Sequence, residues 1–245
     1  TTPTYSVEGE FQLVADYVQG HTPWLVDGPT FGRSPVRPGQ LMLVAGDQPF
    51  ALSSNGGAIR DAFWNGLKNV DSENDPGGLL DGLSRAGKTI RTPTVTLTSG
   101  QVYYLIKGKA VVYAAVSQNL FAGPLHGTLA KTVEAKGDAP QWIGHNLKRY
   151  AGQRVHFEIS PVGDAPFELL QVIDGGTPKQ ELGEKKAVAR KELHQALDDL
   201  ADGRLEARHV PHIAWLLKHG KVKLPDAVLM TWQSALEGLA KEARW

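Results

Sequence analysis

The sequence predicts a mainly β protein, a β-sandwich over residues 1–176 followed by an α-helical C-terminal segment of about three helices over residues 177–245. Three observations carry that expectation. Up to about Gly176, short runs of alternating apolar and polar residues are separated by Gly, Pro, Asn and Asp, the punctuation of an all-β domain. Beyond it, apolar residues recur every three or four positions, as at Val188, Leu193, Leu197 and Leu200, which is the helical period. Many short strands at close spacing favour two packed sheets, because each sheet has one face to bury.

In chain order, Thr89–Leu97 alternates, but Pro93 cannot donate to a ladder, so this strand belongs at an edge or a bulge. Val102–Ile106 and Ala110–Val116, joined at Lys107-Gly108-Lys109, are expected to form a hairpin of more continuous apolar character. Gln141–Leu147 and Phe167–Ile173 supply further strands. The clearest is Arg154–Ser160, where Val155, Phe157 and Ile159 point one way and Arg154, His156 and Glu158 the other. In the tail, a helix opens at Pro178 or Lys179 and runs to about Asp202, with Gly203 as its stop. A second spans Ala207–Lys218 and ends at Gly220, and a third runs from about Pro225 to Ala243.

Composition removes several classes of function. The 245 residues hold 26 basic and 26 acidic side chains, so the chain lacks the net positive charge that nonspecific binding to a phosphate backbone demands. Nucleic acid is not an expected partner. Without cysteine there are no disulfides, thiolate nucleophiles or cysteine-ligated metals. The longest apolar runs, such as Gln40–Gly46 and Val210–Leu217, are far too short to span a bilayer. The chain begins Thr1-Thr2-Pro3 without a signal-like segment, and is expected to be a piece of a larger protein.

The run Trp142-Ile-Gly-His-Asn-Leu-Lys-Arg-Tyr-Ala-Gly152 resembles the Trp-x-x-x-Asp-Leu-Ser-x-Tyr-x-Gly stretch near the end of galactose-binding-like jelly rolls, among them the modules attached to levanases and invertases. Asn146 and Lys148 stand where that pattern has Asp and Ser. Five further stretches, Phe31-Gly-Arg-Ser-Pro-Val36, Phe63-Trp-Asn-Gly-Leu67, Ser84–Thr94, Val102-Tyr-Tyr-Leu105 and Gly123-Pro-Leu-His-Gly127, are similar in order to a jelly-roll region of large planctomycete proteins. Those proteins also carry a cytochrome c-like segment and domains of unknown function. The resemblance covers about Val26–Ile173. It implies a jelly-roll fold, sugar binding and an extracytoplasmic location, periplasmic or at the cell surface.

Sugar recognition needs an apolar face for the C–H side of a pyranose and planar donors and acceptors for its hydroxyls. The expected contact set is Trp64, Asn65, Arg85, Lys88, Arg91 and His126, all within the motif-bearing segments. Each has a plainer reading. Trp64, between Phe63 and Leu67, serves equally as core; Arg85 and Arg91 have the acidic residues of Asp71–Asp81 as ion-pair partners; His126 fits a turn after Gly123-Pro124. Trp142 and Tyr150, inside the fold signature, are read as structural. Arg85, Lys88 and Arg91 place three cations within seven residues, a spacing suited to an acidic or sulfated polysaccharide.

Asp71, Glu73 and Asp75 alternate as hard oxygen ligands and make a structural calcium ion a candidate cofactor. The segment departs from the EF-hand template, which has Glu at the twelfth position, occupied here by Gly82. His209 and His212, with His219 further on, lack the His-Glu-x-x-His arrangement of a hydrolytic zinc helix and read as a helix surface. No nucleophile elbow, phosphate loop or dinucleotide fingerprint is present. The expected function is therefore a non-catalytic carbohydrate-binding module. A structural domain docking onto its neighbours in the parent chain is the alternative. A glycoside hydrolase using carboxylates such as Asp61, Glu73 and Asp75 is the third reading.

Overall fold

The computed structural model describes residues 4–20, 22–43, 50–53, 55–65, 87–116, 128–137 and 139–181, together with Asp199. They are mainly β. In chain order the strands are β1 (Thr4–Asp16), β2 (Leu25–Asp27), β3 (Leu41–Leu43), β4 (Phe50–Leu52), β5 (Ala58–Ile59), β6 (Thr89–Arg91) and β7 (Val95–Thr96). They continue with β8 (Gln101–Lys107), β9 (Lys109–Val116), β10 (Ala130–Glu134), β11 (Gln141–Asn146), β12 (Arg154–Pro161) and β13 (Glu168–Glu181). One antiparallel sheet has the order β1-β13-β8-β11, with β5 also on β13. The other has the order β10-β9-β12-β6-β2, with β7 on β12, and β3 pairs with β4 alone.

The two sheets pack face to face because each strand alternates. In β12 Val155, Phe157 and Ile159 are fully buried while Arg154 is exposed and His156 and Glu158 are half-buried. They meet Val102, Tyr104 and Ile106 of β8 from the opposite sheet, with the Tyr104 and Phe157 rings edge to face at 5.6 Å. Each such large side chain contributes about 1.5–3 kcal/mol by leaving water.

Two expectations about local pairing change. Val102–Ile106 and Ala110–Val116 are strands, but not a hairpin: β8 pairs with β11 and β13, whereas β9 pairs with β10 and β12 in the other sheet. Gly108 makes the corner between them, with φ of 83°. Both strands read as nearly continuous apolar runs because each lies inside its sheet, flanked on both sides. Thr89–Leu97 divides at Pro93 into β6 and β7, which pair with β12 at Ile159 and Glu158 and at Val155 and Arg154. Between them, Thr92 Oγ1 accepts from the Phe157 amide at 2.9 Å, a bond that substitutes for a ladder contact beside the proline.

β13 runs on to Glu181, so the helix expected to open at Pro178 or Lys179 does not begin there. Among the described residues the strand beyond Asp174 pairs only with β1, and a strand without a second ladder partner tolerates Pro178, which has no amide hydrogen. The rest of the expected helical tail lies outside the described residues, of which Asp199 alone, with helical backbone, falls beyond residue 181.

The end of the β1–β13 ribbon turns back over its own sheet. A straight strand from Glu168 to Gln180, the partner of Tyr5, would extend roughly 40 Å at ~3.3 Å per residue. Yet the Tyr5 hydroxyl has its pKa raised, first by burial and then by the charge of Glu168. Gly9, Gly175 and Gly176, with φ of 79°, 90° and 70°, supply the bend, and the β1 register shifts between Glu8 and Phe11. Leu105 and Ile173, on the outer face of this sheet, are buried at 2% and 1% exposure.

His145 of β11 is built into the core. Its Nε2 donates to the Thr128 carbonyl at 2.8 Å, and its Nδ1 accepts from the Tyr104 hydroxyl at 2.9 Å. That arrangement requires the neutral ring. Burial, foremost, lowers its pKa below the ordinary 6.5; the Lys131 charge acts the same way, and the Thr128 bond opposes both. The unfolded chain therefore binds a proton that the folded one resists. Above the ordinary value this group leaves stability unchanged with pH; below it, stability falls until the folded ring itself protonates. Urea denaturation between pH 7.5 and 5 should show stability falling as the pH drops below the ordinary value, a dependence that His145→Gln reduces.

Candidate functional site

Three segments distant in sequence converge at the turn 28–32. Thr30 Oγ1 donates to the Gly87 carbonyl at 2.7 Å, and the Asp61 amide donates to the Thr30 carbonyl at 2.9 Å. Gly28 and Gly87 touch backbone to backbone: a Cβ on Gly28, whose φ is 83°, would lie 2.2 Å from the Gly87 Cα. Trp24 fixes the far end, its Nε1 donating to the Gly32 carbonyl at 3.1 Å, and Phe31 packs edge-on against Phe167 at 6.2 Å. Bonds and contacts from three segments hold this turn in place, and a site held before its ligand arrives binds at a lower entropic cost.

A cleft of about 220 Å³ opens on this turn, lined by Phe31, Gly32, Arg33, Ser34, Val36, Gln40, Met42, Ile59 and Asp61. Phe31, Val36 and Ile59 are buried and form its base, whereas Arg33, Ser34 and Gln40 are exposed at its rim. Asp61 lies at the boundary between the cleft and the next segment. Its Oδ1 accepts from the Phe63 amide at 2.9 Å and caps the single 3-10 turn Ala62–Trp64. That turn presents Phe63, 66% exposed, with its ring edge to face against Trp64 at 5.0 Å.

The expected contact residues separate. Trp64 and Asn65 lie three and four residues after Asp61 and do not themselves line the cleft; Trp64 is half-buried, with Phe63 the more open ring of the pair. The Asn65 side-chain oxygen is buried without a hydrogen-bond partner. Lys88 adjoins Gly87 on the same turn but does not line the cleft. Arg91 lies at the other end of β6, exposed, where the register sets it opposite Glu158 on one side and Leu25 on the other. Glu158 also meets His156 at 3.3 Å. Lys88 and Arg91 therefore do not line one groove with the cleft. Arg85 and His126 lie outside the described residues, as do Asp71, Glu73 and Asp75 of the candidate calcium loop and His209, His212 and His219. Among the described residues no three metal-ligating side chains cluster.

Sequence reasoning passed over Phe63, Arg33 and Asp61 as contacts. Arg33 and Phe63 each stand inside a quoted motif, and the aromatic pair was a signal in plain view. Nothing in the spacing could show that Asp61 lies against the turn carrying Arg33. The signature Trp142–Gly152 is structural in its turn: Asn146 Oδ1 accepts from the Lys148 amide at 3.2 Å, so asparagine makes the side-chain turn bond itself. The Tyr150 hydroxyl meets Thr128 Oγ1 at 3.3 Å. No helix among the described residues is long and apolar enough to cross a membrane.

Comparison of the chain with protein-family models, with curated proteins and with solved structures finds no match.

Proposed function

We propose that this chain is a non-catalytic carbohydrate-binding module of jelly-roll type within a larger extracytoplasmic protein, and that its contact surface is the cleft beside Asp61 and the Phe63–Trp64 pair. The single observation that carries the reading is the combination of a rigid cleft with a mixed polar rim and a neighbouring exposed aromatic ring. Sugars need both, since one ring face is apolar and its edge carries hydroxyls. Two antiparallel sheets packed as a sandwich, with motifs similar to galactose-binding-like modules, support the same reading. Asp61 is committed to capping Phe63 through one oxygen, a positioning task rather than an acid–base one.

A glycan array combined with affinity electrophoresis tests this. At least one polysaccharide should retard the protein, and the paired change Phe63→Ala and Trp64→Ala should weaken that interaction about tenfold. No retardation by any neutral or acidic polysaccharide rejects the reading.

One observation favours docking onto a neighbouring domain instead. Phe11 and Leu13, 45% and 51% exposed, stand two residues apart on the edge strand β1, an apolar pair facing water. If docking is the function, intact parent protein should protect β1 from hydrogen exchange relative to this chain alone.

A further inference from the structure

We infer that the cleft takes one neutral sugar residue presenting two adjacent hydroxyls, at a chain end or as a free monosaccharide, a refinement that rests on the carbohydrate-binding reading. Size is the first argument. At about 220 Å³ the cleft falls below the ~300–1,000 Å³ of pockets that enclose drug-sized ligands, which leaves room for a single monosaccharide unit.

The second argument is the donor and acceptor set. Arg33 offers only donors and an ionised Asp61 only acceptors, and both line the same small space. Asp61 spends Oδ1 on the Phe63 amide, leaving its other oxygen for a ligand. A hydroxyl both donates and accepts. Two adjacent hydroxyls satisfy the pair together, one donating to Asp61 and the other accepting from Arg33.

The third argument is charge. An anionic group in the cleft would be drawn by Arg33 and repelled by Asp61, so it gains little to offset the loss of its hydration. Lys88 and Arg91, the cations that suggested an acidic glycan, do not line the cleft, and Arg91 is paired in register with Glu158. The neutral form is the one this arrangement prefers.

Calorimetric titration of the whole chain with glucose, galactose and mannose, and with the corresponding uronic acids, tests the inference. At least one neutral hexose should bind about tenfold or more tightly than its uronate. Asp61→Asn, which still offers an oxygen to cap Phe63, should reduce that preference about tenfold. Arg33→Gln, a change at an exposed side chain that leaves the fold alone, should weaken the neutral hexose about tenfold. Oligosaccharides of the bound sugar should bind no more tightly per chain end than the monosaccharide. A uronate that binds as well as its hexose, an unchanged preference in Asp61→Asn, or affinity that grows with chain length overturns the inference while leaving sugar binding in place. Retardation by polysaccharides without binding of any monosaccharide does the same. If neither polysaccharide nor monosaccharide binds, both readings fall together.

Discussion

Replacing Asp174 by alanine should destabilise the protein by about 3 kcal/mol, seen as a lower urea midpoint with an unchanged slope. Asp174 is fully buried, at 0% exposure, near the end of its paired run with β8. Its Oδ2 accepts from the Thr98 amide at 2.5 Å, the Thr98 hydroxyl at 2.9 Å and the Ser99 amide at 3.1 Å. Its Oδ1 accepts from the Ser99 hydroxyl at 2.6 Å. Thr98 and Ser99 form the link between β7 in one sheet and β8 in the other, so this carboxylate holds the chain where it crosses the sandwich. Alanine removes the partner of two amides and two hydroxyls; Asp174 itself is closed to water while Thr98 and Ser99 are exposed, so solvent recovers part of the about 1–3 kcal/mol that each orphaned group costs. Asp174→Asn keeps one oxygen for Thr98 and Ser99, and its amide can donate to the Ser99 hydroxyl. It should lose only about 1 kcal/mol. Equal losses in the two variants would show that packing, not hydrogen bonding, is what the residue supplies.

Gly108→Ala should cost about 3 kcal/mol, the second large effect. At φ of 83° any side chain is strained by roughly 1–2 kcal/mol, and here the new Cβ would also sit 2.2 Å from the Pro166 carbonyl oxygen. The corner between the sheets would have to open, and with it the bond from the Ala135 amide to the Gly108 carbonyl, 2.9 Å long. Gly137 is the control. Its φ is 90°, but nothing lies within 4 Å of the position a Cβ would take, so Gly137→Ala should show the backbone cost alone. Thermal unfolding of the two variants side by side separates strain from collision; matching shifts would mean that the Pro166 contact is of no consequence.

Gly108 also shows where sequence reading reached its limit. Lys107-Gly108-Lys109 between two apolar runs has the form of a hairpin turn, and a hairpin and a sheet-to-sheet corner need the same glycine. What separates them is which strands the two runs pair with, and those partners, β11 and β13 for one and β10 and β12 for the other, are set by contacts outside the two runs. The cleft was hidden for the same reason. Phe31–Val36 and Phe63–Asn65 were visible as motifs, but the Gly28–Gly87 approach and the Thr30 bonds that set them side by side depend on contacts between positions more than thirty apart. The cations Lys88 and Arg91, close in the chain, ended at opposite ends of β6, because a strand extends where a helix or loop would gather.

The sequence by itself determined the β character of residues up to the 170s, the strands β6 to β9 and β11 to β13 but not β1 to β5 or β10, and the buried face of Arg154–Ser160, since alternation against water is a local property that two residues suffice to express. The tertiary structure alone decided that β8 and β9 part into different sheets, that the β1–β13 ribbon turns back on itself, that His145 must stay neutral, and that Arg33 and Asp61 share one cleft. Each of those depends on a long-range contact, whose free energy exists only once the intervening chain has been ordered and both partners have left water.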